Sequence, residues 1–555
     1  MTREVRAAPV AASFPVAGRA AAAARALLWL AILTLVVYPL LIVLAGAFAP
    51  ALIGDEPLQI SELLTGRLFT ASLNTIRLGV AVSLLSLLFG TAAAVLAAGN
   101  PRGRYIDWLM SIPFLTPPFL VSLAWSLAVG PRGYLARFGL PGEFFEHAIF
   151  SFAGMAALMA AHYAPAVYFA VRAQIARLPP SLLWAAHISG ASAEQSLKRI
   201  LLPLIAPALL AGGFLAFAAG IEEYGTPLVI GNRIGFPVIA TEIGRLVAVY
   251  PIRLTLASAL ASTLLAAAGG AYWLSYLLQR HSVAYAKTSA YPAPALLPAK
   301  LRAALCCFVV FYAGFAIVVP FGSMLLTSLL KLVSVGPAAS NLTLAHYARA
   351  LTADAGGLRD ALTASFTLAV SAAVAGALLG TACAREGKAL ATVALIPLAT
   401  PAITMAVGFI RGWNAPFTAW LPIYGTALIV GAFYTAQYLP YVVQYAGAGL
   451  ASIPPSYEWA ARVHGATAGA TLRRIVAPLL LPHCIAGAIL IFSISFRELV
   501  GSVLLRPPGM HTVATFILRE FDQGSPAAGM ALGVIAVVVS LASVSLARCL
   551  APRSA

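Results

Sequence analysis

Apolar runs long enough to cross a bilayer recur twelve times in this chain of 555 residues, and no other feature restricts its fold so severely. They lie near 26–49, 70–99, 108–129, 147–176, 200–222, 254–279, 301–330, 361–384, 389–410, 424–448, 475–496 and 527–551. A hydrocarbon core about 30 Å thick takes roughly 20 residues of helix to cross. Backbone groups in lipid must satisfy one another, and a helix does so within one segment, so these runs predict helices rather than barrel strands. With 61% hydrophobic and 10% charged residues, the chain leaves no room for an enzyme-sized soluble domain between the runs. The expected class is an all-α polytopic membrane protein with about 12 transmembrane helices.

The formal charge of +17 is spread out and does not form a basic face for nucleic acid. Arg3, Arg6, Arg19 and Arg25 are scattered among alanines, without the compact apolar core of a signal peptide at the start. The first run is therefore read as an uncleaved span with its N-terminus inside. Alternating the spans from there places 21 of the 35 Lys and Arg inside but about 5 of the 18 acids. That bias follows the positive-inside rule and puts both termini on the cytoplasmic side of the membrane. Five cysteines, Cys306, Cys307, Cys383, Cys484 and Cys549, show no metal spacing and read as small buried packing residues.

One polar segment occurs twice. PPSLLWAAHISGASAEQSLKRILLPLIAP (179–207) and PPSYEWAARVHGATAGATLRRIVAPLLLP (454–482) share 15 of 29 positions at a constant offset, 465 − 190 = 275. SIPFLTPP (111–118) and LIPLATPA (395–402) repeat in the same order, as do FGTAA (89–93) and LGTAC (379–383). The chain thus reads as two homologous six-helix halves, 1–280 and 301–555, joined by a cytoplasmic linker, 281–300, rich in Pro, Ala and Lys. Six spans per half return both polar segments to the inner face.

Ser181 and Ser456, after Pro-Pro, are expected to cap a short helix holding Trp184, Ala185 and Ala186 or Trp459, Ala460 and Ala461. Gly190 and Gly465 allow the left-handed turn that ends it. Ser192 or Thr467 then caps a second helix, with Gln195 completing a capping box in the first copy. Lys198 and Arg199, or Arg473 and Arg474, close the polar stretch, and Pro203 and Pro478 sit one turn into the next span. Alanines leave a smooth surface and tryptophans supply anchor area, so each copy reads as a protein docking site.

With these residues in view, the chain resembles the permease subunits of type I binding-protein-dependent ABC importers. Their loop, Glu-Ala-Ala-x-x-x-Gly followed by Ile-x-x-Pro, is here WAAHISG…ILLP and WAARVHG…IVAP. Trp184 and Trp459 stand where the family has glutamate, and Glu458 lies one position earlier. The resemblance implies that about 179–203 and 454–478 form coupling helices on two copies of a cytoplasmic ABC ATPase. It also implies a periplasmic solute-binding protein, and ATP-Mg bound on the partner subunits with no cofactor on this chain. It assigns coupling to Trp184, Ala185, Ala186, Gly190, Arg199, Pro203, Glu458, Trp459, Ala460, Ala461, Gly465, Arg474 and Pro478. FAAGIEEYGTPLVIG (217–231) and FSISFRELVGSVLL (492–505) are most similar to the iron(III) permeases. Thiamine and aminoethylphosphonate importers are the alternatives.

The chain carries no G-x-x-x-x-G-K-[ST] loop, so ATP hydrolysis is expected elsewhere. No catalytic cluster points to an enzyme, and few ionisable residues fall in mid-span, as an ion-coupled secondary transporter would need. Glu223 and Glu498 obey the same offset, 498 − 223 = 275, with Glu222, Tyr224 and Arg497 beside them. These five are candidate translocation-path residues, because carboxylate and phenolate oxygens suit a hard trivalent cation. An equal reading is that they cap helix ends or pair with Arg497. Arg233, Arg245, Arg253 and Arg506 are candidates for attracting an anionic solute instead.

Overall fold

The computed structural model describes residues 19–53, 57–98, 100, 103–114, 116–130, 133–280, 297–352 and 357–550. Most of the linker expected at 281–300 lies outside the described residues, and Ala299 and Lys300 already belong to the helix that follows it. The described residues form an all-helical protein whose strand-like pairing is one isolated bridge between Leu330 and Leu342. Nine of the described helices are long and apolar enough to cross a membrane, or up to 11 with two bent pairs. Ala427–Ser452 has the 26-residue length of its counterpart Phe152–Arg177. Gln437 and several tyrosines make it more polar than the other spans.

Proline explains where the helices depart from straight rods. The third apolar run of each half, expected as a continuous span, is broken. Lys388–Ala399 meets Ala402–Trp413 at 108°, and Gly103–Phe114 is likewise bent against the helix starting at Pro118. Pro401 and the pair Pro117-Pro118 sit at the breaks, where the missing N–H and the restriction on the preceding residue stop a helix. Elsewhere the helix only widens. The π turns Leu33–Val37, Leu197–Leu201, Gly314–Val318 and Leu472–Val476 each end two residues before a proline, namely Pro39, Pro203, Pro320 and Pro478. A proline ring crowds the carbonyl four residues back, and the wider turn relieves that crowding.

Two compact units result, and they are not the sequence halves. One comprises the described residues up to Ala45, Arg359–Thr515 and those from Val538 on; the other is Gly46–Leu358 with Phe516–Val537. The first helix therefore packs with the second half. Ile32 and Val36 are buried with Cys383, Leu390, Leu439 and Val443, and Tyr38 donates to the Gly412 carbonyl at 2.6 Å. Conversely, the helix from Ala299 packs with the first half. Val309, Tyr312 and Ala316 join Phe89, Ala160 and Tyr168, and Tyr312 donates to the Ala161 carbonyl at 2.7 Å.

Inside each unit the same glycine brings two spans together. A Cβ on Gly212 would lie 3.0 Å from the Val167 Cα, and one on Gly487 would lie 2.9 Å from the Val442 Cα. Both pairs keep the 275-residue offset (487 − 212 and 442 − 167), so the duplicated halves share this backbone-to-backbone contact. Close approach through small residues is how membrane helices gain packing energy without a hydrophobic drive. The cysteines depart from expectation. Cys383 is buried and Cys484 partly so, but Cys306, Cys307 and Cys549 are exposed, the first two on a spanning helix.

Candidate functional site

The two copies of the polar segment adopt one conformation. Short helices run over Pro180–Ile188 and Pro455–Val463. Here the serine-cap expectation is corrected. Pro179 and Pro454 occupy the cap positions without a side-chain bond, and the second proline of each pair opens the helix. A proline at the first helical position sacrifices an N–H that had no partner anyway, so Ser181 and Ser456 fall inside the first turn.

The helix ends match the expectation. Gly190 and Gly465 have φ of +80° and +75°. Gly190 N–H donates to the His187 carbonyl at 3.0 Å and Ala191 N–H to the Ala186 carbonyl at 2.9 Å. Gly465 and Ala466 repeat this on Arg462 and Ala461, both at 2.9 Å. That is the Schellman pattern, which needs a left-handed residue at its turn. Ser192 and Gln195 then form the capping box, at 3.2 and 2.9 Å, and Thr467 accepts from Ala470 N–H at 3.3 Å.

Burial repeats as well. Ser196, Leu201 and Ile205 are buried in one copy, and Thr471, Val476 and Leu480 in the other. The first step is five residues and the second four, because the π turn intervenes and returns the next side chain to the same face. Arg199, Arg474, Pro203 and Pro478 are exposed, as are Ala185 and Ala460; Ala186 and Ala461 are half-buried. Trp184 is 38% exposed and Trp459 64%, and Ile188 and Val463 are exposed at 83% and 85%. A short helix with exposed large apolar groups on a rigid double cap is a surface suited to a protein partner. Charge distinguishes the copies. Pro180–Ile188 has no acid, while Glu458 acts electrostatically on Arg385 at the end of helix Leu358–Glu386.

At the far end of the span after each loop, the expected path residues divide into two kinds. Glu223 accepts from the N–H of Gly225 at 2.9 Å and of Thr226 at 3.0 and 2.9 Å. Glu498 accepts from the N–H of Gly501 and of Ser502, each at 3.0 Å. Both carboxylates are buried and satisfied by the free amides that open the next helical turn. The reading as helix caps is the one these bonds support. Tyr224 is buried with its ring against Gly244, where an added Cβ would meet it at 3.0 Å.

Glu222 and Arg497 are different. Both are half-buried, and they are equivalents in the repeat, 497 − 222 = 275. Glu222 accepts from the Tyr272 hydroxyl at 3.3 Å, and Tyr163 feels the charge of both Glu222 and Glu223. In the other unit, Tyr438 and Tyr441 act electrostatically on Arg497. These four tyrosines escaped the sequence reading. Tyr163 and Tyr438 keep the offset of 275, so extending the repeat through their helices would have found them. Tyr272 and Tyr441 carry no such mark.

The arginines considered for an anionic solute are tied down. Arg233 pairs with Glu146 at 2.7 Å, Arg245 with Glu242 at 2.8 Å and Arg253 with Glu62 at 2.7 Å. Arg506 donates to the Met510 carbonyl at 2.7 Å. Among the described residues no group of three or more His, Cys, Asp or Glu could hold a metal ion.

Residues 86–283 and 372–555 match a family described as binding-protein-dependent transport system inner membrane component. The ferric transport system permease protein FbpB of Actinobacillus pleuropneumoniae is 26% identical over 84% of this chain and 69% of its own length. A putative ferric transport system permease protein FbpB 1 of Haemophilus influenzae is 27% identical over 82% and 73%. A putative 2-aminoethylphosphonate transport system permease protein PhnV of Salmonella paratyphi A is 29% identical, over 36% of this chain and 77% of its own length.

Proposed function

This chain belongs to the binding-protein-dependent transport system inner membrane component family, and on that premise we propose that it is the fused two-half permease of an ATP-driven importer of ferric iron. The observation that carries the transport reading is the loop that recurs at a 275-residue offset with the same Schellman end, the same second cap and the same buried face. Two levers of one conformation suit two copies of one ATPase, whose closure on ATP-Mg would push both levers together. Trp184 and Trp459, the alanine pairs after them, Glu458, and the glycines and prolines that shape each loop form the docking surface. Arg199 and Arg474 flank it.

The solute reading is supported by coverage. The ferric permeases align across most of this chain, whereas the phosphonate permease aligns with about a third of it. A periplasmic binding protein delivers the solute, transport proceeds by alternating access, and Glu222 and Arg497 are each candidate path residues. Glu223 and Glu498 hold the turns on which those residues sit. Both termini and both loops face the cytoplasm. Uptake of labelled ferric iron, thiamine and 2-aminoethylphosphonate, in cells lacking this gene and complemented with it, tests the assignment. Restored uptake of iron alone supports it, and restored uptake of either other solute without iron refutes it.

A further inference from the structure

Arg497 lies just beyond helix Ala477–Ser495, half-buried, with no carboxylate paired to it among the described residues. Arginine does not discharge in proteins, so it keeps its positive charge there. A charge held partly out of water gains from a partner, which is why ionisable groups at membrane depth pair with something. The nearest carboxylate in sequence is bonded elsewhere. Glu498 accepts from Gly501 and Ser502 N–H at 3.0 Å, and the Ser502 hydroxyl lies 3.5 Å from it. Arg497 Nε is out of contact with solvent and has no hydrogen-bond partner, and no ion pair to Arg497 occurs among the described residues. Arg233, Arg245 and Arg253 each have a carboxylate within 2.8 Å.

The surroundings suit an anion. Tyr438 and Tyr441, one turn apart on helix Ala427–Ser452, have ring centroids 6.4 Å apart and are the titratable groups that act on Arg497. Two phenol hydroxyls and a guanidinium are donors to oxyanion oxygens. The repeat shows that the arrangement is not inherited scaffold. The capping glutamates and the first tyrosine recur at 275 residues, but Arg497 replaces Glu222 and Tyr441 replaces Ala166. A position that only holds the fold would be free to keep the same group in both halves, as the caps do.

We propose that Arg497, with Tyr438 and Tyr441, contacts an oxyanion of the transported solute: a carboxylate or phosphate that accompanies ferric iron, or the phosphonate of a solute that is itself an anion. The assignment rests on the permease reading above, and its test has a readout independent of uptake. The full chain, purified with its ATPase, is heated in inorganic phosphate, with chloride matching ionic strength. The wild type should unfold at a temperature that rises with phosphate, Arg497→Lys should keep part of that rise, and Arg497→Met should lose it. Protection of Arg497→Met equal to wild type overturns the proposal.

In cells, Arg497→Met should cut uptake at least tenfold while the ATPase still co-purifies. Loss confined to iron supplied with citrate assigns the oxyanion to a chelator, and loss confined to 2-aminoethylphosphonate assigns it to the solute. Unchanged uptake of both overturns the proposal. Wild type that carries neither solute refutes the solute assignment alone, since phosphate protection still reports on the site. Should Arg497→Met fail to fold, Arg497→Gln takes its place in both arms.

Discussion

Removing the buried carboxylate at 498 tests whether these glutamates are caps. Glu498→Ala deletes two bonds of 3.0 Å and leaves the amides of Gly501 and Ser502 buried without an acceptor. Each orphaned buried donor costs about 1–3 kcal/mol. Relief of the carboxylate's own desolvation offsets part of the sum, giving about 2–3 kcal/mol, just above the usual range for losing an N-cap. For a unit of this size, that lowers the unfolding midpoint by about 4–12 °C. Glu498→Gln keeps one carbonyl acceptor but turns an amide N–H₂ toward the second donor, so its loss should be about half as large. The assay is thermal unfolding of the purified chain in detergent, followed by intrinsic fluorescence. Glu223→Ala should behave alike, because Gly225 and Thr226 are held in the same way. If Glu498→Ala unfolds with the wild type while uptake is abolished, the carboxylate serves the path and the capping argument is wrong.

Other substitutions probe the remaining contacts. Gly190→Ala or Gly465→Ala places a side chain at φ near +80° with open space around it, costing about 1–2 kcal/mol of local conformation. Affinity for the ATPase, measured by titration onto the purified chain, should fall about tenfold, and an unchanged affinity would show that the loop need not be pre-shaped. Gly487→Ala pushes a methyl to 2.9 Å from the Val442 Cα and should destabilise by about 1–3 kcal/mol, read as a lower unfolding midpoint, with Gly212→Ala slightly milder at 3.0 Å. Glu242, 1% exposed and paired with the largely exposed Arg67 at 2.7 Å and Arg245 at 2.8 Å, should cost about 1–3 kcal/mol when changed to Ala. The same heating assay reads that loss, and a shift under 2 °C would show the arginines find other partners.

Much of this was legible from residue order because it depends on local rules. Span lengths follow from apolar runs, and the loop ends follow from Gly190, Gly465, Ser192 and Thr467, whose conformations need no distant partner. Three features were not legible, for physical reasons. The break at Pro401 and at Pro117-Pro118 was hidden because apolarity continues through it, and apolarity alone does not separate one bent pair from one span. The serine caps were misplaced by two residues, since a proline at the first helical position and a serine at the cap are both sound helix starts. The exchange of first helices between the compact units is long-range packing, carried by Ile32, Val36 and Tyr312, which look like any lipid-facing residues in sequence. The division of the path residues also required coordinates. The bonds to Gly225, Thr226, Gly501 and Ser502, with deeper burial, separate the capping glutamates from Glu222 and Arg497.

The claim that the duplicated loops are inward-facing docking levers is tested most directly by single cysteines at Ile188 and Val463, the most exposed large apolar side chains of their helices at 83% and 85%. The five native cysteines are first replaced by serine or alanine. A membrane-impermeant maleimide should label both positions in inverted membrane vesicles, fail to label them in intact spheroplasts, and be blocked when the ATPase is added back. Labelling of either position from the outside, or labelling from the inside that the ATPase leaves untouched, would contradict the account.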